Sequence, residues 1–272
     1  MYTDPDGELF GIDSWILGFI HGFFSTGSNR WGTALSTANR LAGNDLKIWG
    51  GLFVTDPNKS FLGRVWEFKS RFNWQLPQTL IGLGYSQFCN TFEGLGIGDG
   101  IRSIDYLYGA TMVSHNSNIG GAITLGSYIN GGPDLMADPN NSTFQHEYGH
   151  YIQSQGMGIA YLSRVGLPSI LSSHNHNYHP VEIDANRRAF MYFNKHVGRP
   201  YSNSDDWSNK KNDYFKWDLG NNPLNQDGSI YYSSDFSYLN AQWYDYLLIL
   251  RGGLWGALID GLCLSIYYNG SY

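Results

Sequence analysis

The segment Phe144-Gln145-His146-Glu147-Tyr148-Gly149-His150 constrains this chain more than any other. On a helix of about 3.6 residues per turn, two histidines four apart leave the same face one turn from each other, and both imidazoles can reach one metal ion. Glu147 lies about 100° further round, where its carboxylate can act on a water instead of binding the metal. This HExxH pattern calls for zinc and points to a zinc-dependent hydrolase, most often a peptidase. The helix has readable limits. Residues 131–133 and 138–141 are loop, Ser142 is the expected N-cap with Gln145 completing a capping box, and Gly156 is placed to end the helix.

Two histidines do not close a site, because catalytic zinc usually takes three protein ligands. Glu182 is the best-placed third ligand, at the start of a helix expected over 181–195. An intervening helix over 159–165, bent or ended near Pro168, gives the chain room to turn back. Asn186 lies four residues beyond Glu182 on the same face and can accept a hydrogen bond from a ligand histidine, fixing its ring. Ala185 and Ala189 are small enough to let the two helices pack closely. The competing third ligands are Asp184, on a different face from Asn186, and one of His174, His176 or His179 in the loop before the helix. The three-histidine pattern HExxHxxGxxH is absent, since Gln153 and Gly156 occupy its last two special positions.

The rest of the chain reads as α+β, mostly helical, with a small mixed or antiparallel sheet just before the motif helix. Asp13 is a candidate cap for an apolar helix over 13–23, and a second short helix covers 33–41. A third helix follows the turn Thr55-Asp56-Pro57-Asn58 and covers 59–72. A fourth runs from Pro77 towards Phe88. Residues 94–100 are glycine-rich but lack the strand, spacing and lysine of a phosphate loop, so they read as a turn. Strand-like alternation covers 106–113 and 122–129. Residues 201–235 read as a long polar excursion, and 246–268 as a buried or amphipathic C-terminal helix, since Arg251, Asp260 and glycines interrupt its apolar run.

Charge excludes some partners. A net charge of −6 argues against a nucleic-acid backbone, which needs a basic face. Lys59, Arg64, Lys69 and Arg71 form a local basic cluster interleaved with aromatics, expected as an amphipathic helix with its basic side in solvent. Neither 15–24 nor 246–268 reads as a membrane span, and no stable membrane insertion is expected. Cys89 and Cys263, the only cysteines, leave the compartment open. The opening MYTDPDGELF is acidic and does not read as a signal peptide.

HExxH followed by the helical Glu182-Ile183-Asp184-Ala185-Asn186 resembles the gluzincin type of zincin metallopeptidase. The resemblance implies a zincin-like fold, His146, His150 and Glu182 as zinc ligands, and Glu147 as general base. Asn186 departs from the aspartate that many relatives carry; it still accepts the histidine N–H but lends less charge. A second resemblance is to RHS-repeat-associated proteins of Bacteroidetes-like bacteria. It is carried by residues 2–10 (YTDPDGELF), which look like an RHS core junction, and by FQHEYGHYIQSQ with the later DANRRA. It implies a junction over 1–12; the remaining 13–272 read as a single catalytic domain with a helical part (13–100), a metal-site core (101–200) and a C-terminal excursion and helix (201–272). It also implies a polymorphic-toxin tip, secreted or held at the cell surface as part of a larger parent, with a cognate immunity protein as partner.

The expected chemistry is hydrolysis of a protein or peptide substrate, with Glu147 taking a proton from water and passing it to the leaving amine. Tyr178 and His179 are the candidate transition-state donors, with Tyr231, Tyr232 and Tyr238 as alternatives. The 122–129 strand is a candidate edge for an extended peptide. Two other readings stand: a zincin-fold interaction module without turnover, and a zinc hydrolase of a non-peptide bond. The intact Glu147 counts against the first.

Overall fold

The computed structural model describes residues 11–25, 27–117, 121–172, 176–201, 214–225 and 230. Residues 1–10, His174, Tyr231, Tyr232, Tyr238, Cys263 and the 246–268 stretch lie outside them. Among the described residues the chain is α+β, with seven α-helices and a small mixed sheet. None of these helices is long and apolar enough to cross a membrane.

Helices α1 (Ile12–Phe24) and α2 (Arg30–Gly50) form an antiparallel pair. The seam is built on small residues: a Cβ added at Gly22 would fall 2.7 Å from Ala34 Cα. Two boundaries differ from expectation. Gly11, not Asp13, is the N-cap of α1, and its N–H donates to Asp45 Oδ2 at 2.6 Å. Helix α2 runs well past the expected 33–41. Asn44 and Asp45 disfavour a helix interior by competing for backbone partners, but here tertiary partners on the helix spanning Leu76–Gly94 engage them. Asn44 Nδ2 donates to Asn90 Oδ1, and Gln87 donates to Asp45.

Helix α3 (Phe61–Phe72), capped by Ser60, and α4 (Leu76–Gly94) follow. Arg64 and Lys69 stand in solvent as expected, but Arg71 does not, and most of the polar arc of α3 turns inward. Gly63, Glu67, Ser70 and Arg71 are buried, whereas Phe61, Leu62, Val65, Trp66, Phe68 and Phe72 are exposed. The reason is a buried ion network. Arg71 pairs with Glu67, donates to the carbonyls of Gly51, Leu52, Val54 and Gly109, and to Tyr151 Oη at 2.9 Å; Glu67 accepts from Asp56 N–H at 2.9 Å. Rotating the helix to hide its aromatics would break this network and take the Arg71 donor away from the carbonyls of Gly51, Leu52, Val54 and Gly109.

Each of the two expected strands is a hairpin. Strands β1 (Ile101–Leu107) and β2 (Ala110–His115) are joined at Tyr108 and Gly109, both at positive φ (49° and 82°), the pair of left-handed residues a type I′ turn demands. The alternation of side chains runs straight through this turn, so it is invisible to a period-two pattern. Strands β3 (Ala122–Leu125) and β4 (Tyr128–Gly131) form the second hairpin. The order is β1-β2-β4-β3, with β2 and β4 parallel and the other pairs antiparallel, so β3 lies at an edge. Val113 and Tyr128 face Ile48 and Leu83 of α2 and α4. Met112 and Ile129 face the other way, into a cluster with Phe144, Tyr148 and Phe193. The sheet is therefore a middle layer.

The second helical layer holds the motif. Helix α5 (Ser142–Met157) leads through a 3-10 turn (Gly158–Ala160) and a π-turn (Leu162–Gly166) to α6 (Leu167–Leu171). Pro168 sits in the first turn of α6, where a missing N–H costs nothing. A 3-10 turn (His176–Tyr178) precedes α7 (Pro180–His196), and β5 (Arg199–Tyr201) pairs in parallel with β6 (Tyr214–Lys216).

Candidate metal centre

Helix α5 crosses the core, with every residue from Glu147 to Gln155 buried. Its N-cap is Asn141 rather than Ser142, whose neighbour's Oδ1 accepts from Phe144 N–H at 2.8 Å. Gln145 does not close a capping box; its amide donates to the carbonyls of Pro139 and Lys216, tying the helix start to β6. The helix passes Gly156 and is capped by Gly158 at φ 56°.

Helix α7 lies directly against α5. A Cβ on Gly149 would fall 2.0 Å from Ala185 O, so the fourth residue of HEYGH is where the two backbones touch. Ala185 and Ala189 are fully buried on the facing side. This approach delivers Glu182, in the first turn of α7, to the histidines. Glu182 Oε2 is 2.8 Å from His150 Nε2 and 3.0 Å from His146 Nε2. One ligand atom from each of His146, His150 and Glu182 lies within 4.8 Å of the others.

The ring orientations are set from behind. His146 Nδ1 lies 2.9 Å from Asn186 Oδ1, and His150 Nδ1 lies 2.8 Å from Gln153 Oε1. The Gln153 amide cannot be reversed, because its Nε2 donates to Val181 O and Asp184 Oδ2. His150 must therefore donate from Nδ1, which turns Nε2 towards Glu182. Burial disfavours charge on His150, but the Glu182 carboxylate outweighs it and raises its pKa to about 9. Burial likewise works against ionised Glu182, yet the two histidines hold its carboxyl well below the usual range. Its second oxygen, Oε1, accepts no hydrogen bond among the described residues.

These observations test the fit of a metal. Two imidazole Nε2 atoms and a buried carboxylate converge on one point, and outer hydrogen bonds fix both rings, as a metal-ligating histidine requires. The residues fit a metal ion. Removing the outer contact to His146 by Asn186→Ala should weaken metal binding by about 10–100-fold and leave the fold intact; equilibrium competition against a chromophoric chelator reads this directly. An unchanged affinity would mean that Asn186 does not orient the ligand.

Glu147 is held from the sheet and is not part of the cluster of His146, His150 and Glu182. The Thr124 hydroxyl, on edge strand β3, lies 2.6 Å from Glu147 Oε2 and 3.0 Å from its backbone O. Tyr161 donates to Thr124 O at 3.2 Å. Between β3, α5 and the π-turn with α6 opens a cavity of about 460 Å³; His146, Glu147, His150, Leu162, Ile170 and His176 are among its lining.

The other candidates go elsewhere. Asp184 accepts from Arg188 Nε at 2.6 Å as well as from Gln153, and takes no place with the histidines. His179 is the N-cap of α7 and, like Tyr178, does not line the cavity. His176 does: its Nδ1 lies 2.5 Å from Ser172 Oγ and 3.8 Å from Glu182 Oε1. Gln153 was legible in principle, being three residues beyond His150 and so on its face. Thr124 carried no signal in the sequence, because nothing there says which strand lies over the motif helix.

Comparison with family models, curated proteins and solved structures finds no significant match to this chain.

Proposed function

We propose that the chain is a zinc-dependent peptidase of the gluzincin type on a zincin-like fold. The observation that carries this reading is the convergence of His146, His150 and Glu182 on one point, with Glu147 beside it in an open cleft. The ligand set of two histidines and a glutamate is one that catalytic zinc uses, with a position left for water or substrate.

Zinc, when bound, supplies a Lewis acid that polarises a carbonyl and acidifies water. The remaining work falls to the chain. Glu147 takes the proton of the attacking water and delivers it to the leaving amine. Thr124 holds Glu147 Oε2, which leaves the other carboxylate oxygen to carry that proton. Among the described residues strand β3 has a partner strand on one side only, and the cleft opens along it, so an extended peptide can add to the sheet there. The apolar wall of Leu162, Leu167 and Ile170 suits an apolar substrate side chain.

The test is cleavage of a mixed peptide library, read by mass spectrometry. The expected result is cleavage that chelation abolishes and added zinc restores. A zinc-loaded chain that cuts no peptide, or cutting indifferent to chelation, would overturn the proposal. Delivery as the tip of an exported RHS-type parent rests on the separate resemblance of residues 2–10. Immunoblotting for a larger polypeptide in the culture medium tests it, and a chain found only inside cells would count against it.

A further inference from the structure

Helix α3 has its amphipathicity the wrong way out for a protein surrounded by water. A surface helix normally buries its apolar stripe and shows its polar one. Here Phe61 and Leu62 are 78% and 73% exposed, and Val65, Trp66, Phe68 and Phe72 continue the same arc over the helix. Phe53, from the preceding loop, is 63% exposed and packs its ring against Phe68 and Phe72 at 6.3 and 6.1 Å, which widens the face. The orientation is not slack, since the Glu67–Arg71 network locks the polar arc inside.

The charges on this face have one sign. Arg64 and Lys69 are exposed on α3, while its only acid, Glu67, is buried. This holds in a chain of net charge −6. Aromatic and aliphatic side chains together with basic ones on one exposed helix face are what an anionic lipid surface binds. The rings enter the headgroup boundary while the long cationic side chains reach the phosphates.

We propose that the α3 face, with Phe53, docks on the surface of an anionic lipid bilayer. The helix lies in the plane of the interface and does not span it. This site is separate from the metal centre and stands whether or not the chain is a peptidase.

The experiment is co-sedimentation of the full chain with vesicles of phosphatidylcholine alone and of phosphatidylcholine with phosphatidylglycerol, alongside analytical ultracentrifugation without lipid. The chain should bind the anionic vesicles far more tightly, and salt should weaken that binding. A basic residue near an anionic surface contributes roughly a fivefold gain, so Arg64→Ser with Lys69→Ser should lower partitioning about 25-fold. Leu62→Ser with Trp66→Ser should lower it at least tenfold. These side chains are exposed, so the variants should fold, which circular dichroism checks. Met191→Ser, an exposed apolar change on α7, should leave binding unaltered. No binding to either vesicle overturns the proposal. So does a dimer that Leu62→Ser with Trp66→Ser dissociates, which would make a second copy the occupant. A monomer that binds no lipid and shields Trp66 from acrylamide would assign the face to another part of the same chain.

Discussion

Glu147→Gln should lower peptide cleavage by about 10²–10⁴-fold while zinc stays bound. Glutamine has the size of glutamate, and its amide oxygen can still accept the Thr124 hydroxyl that now meets Oε2 at 2.6 Å. The packing around α5 is therefore preserved. What disappears is a group able to take a proton from water and return it to an amine. Zinc affinity should barely change, because Glu147 stands apart from the cluster of His146, His150 and Glu182. Turnover by a metal-loaded Glu147→Gln chain at the unaltered rate would remove Glu147 from the chemistry.

Glu182→Gln should have the second large effect, a loss of more than about 100-fold in zinc affinity, exceeding what an outer contact contributes. The fully buried Glu182 carboxylate holds both imidazoles through a single oxygen and supplies the negative charge that a cation at this point requires. The amide is isosteric, so a structural collapse would not be the cause of the loss. Activity should fall in step with metal occupancy and recover in part at high zinc. An affinity equal to that of the unaltered chain would pass the third-ligand role to another residue, and His176, at 3.8 Å from Glu182 Oε1, is the one in reach.

The centre was legible in the sequence where helical geometry alone decides neighbours. His146 and His150 share a face through their spacing, and so do Glu182 and Asn186. The structure brings the two faces together, with Gly149 against Ala185. What the sequence hid is set by tertiary partners. Helix α2 continues through Asn44 and Asp45 because groups elsewhere in the chain bond their side chains. The two strands at 106–113 and 122–129 are two hairpins because Tyr108 and Gly109, like Gly126, turn the chain within an unbroken apolar alternation. The orientation of α3 depends on where Glu67 and Arg71 find partners, which its own amphipathic pattern does not record. Thr124 meets Glu147 only because the sheet order puts β3 at the edge beside α5.

The central claim is that His146, His150 and Glu182 hold a catalytic metal. Its most direct test is anomalous diffraction at the zinc edge from crystals grown with zinc. The expected result is one peak about 2.0–2.2 Å from His146 Nε2, His150 Nε2 and a Glu182 carboxylate oxygen. A zinc-bound crystal with no peak at that point, or with a peak whose ligands exclude Glu182, would contradict it.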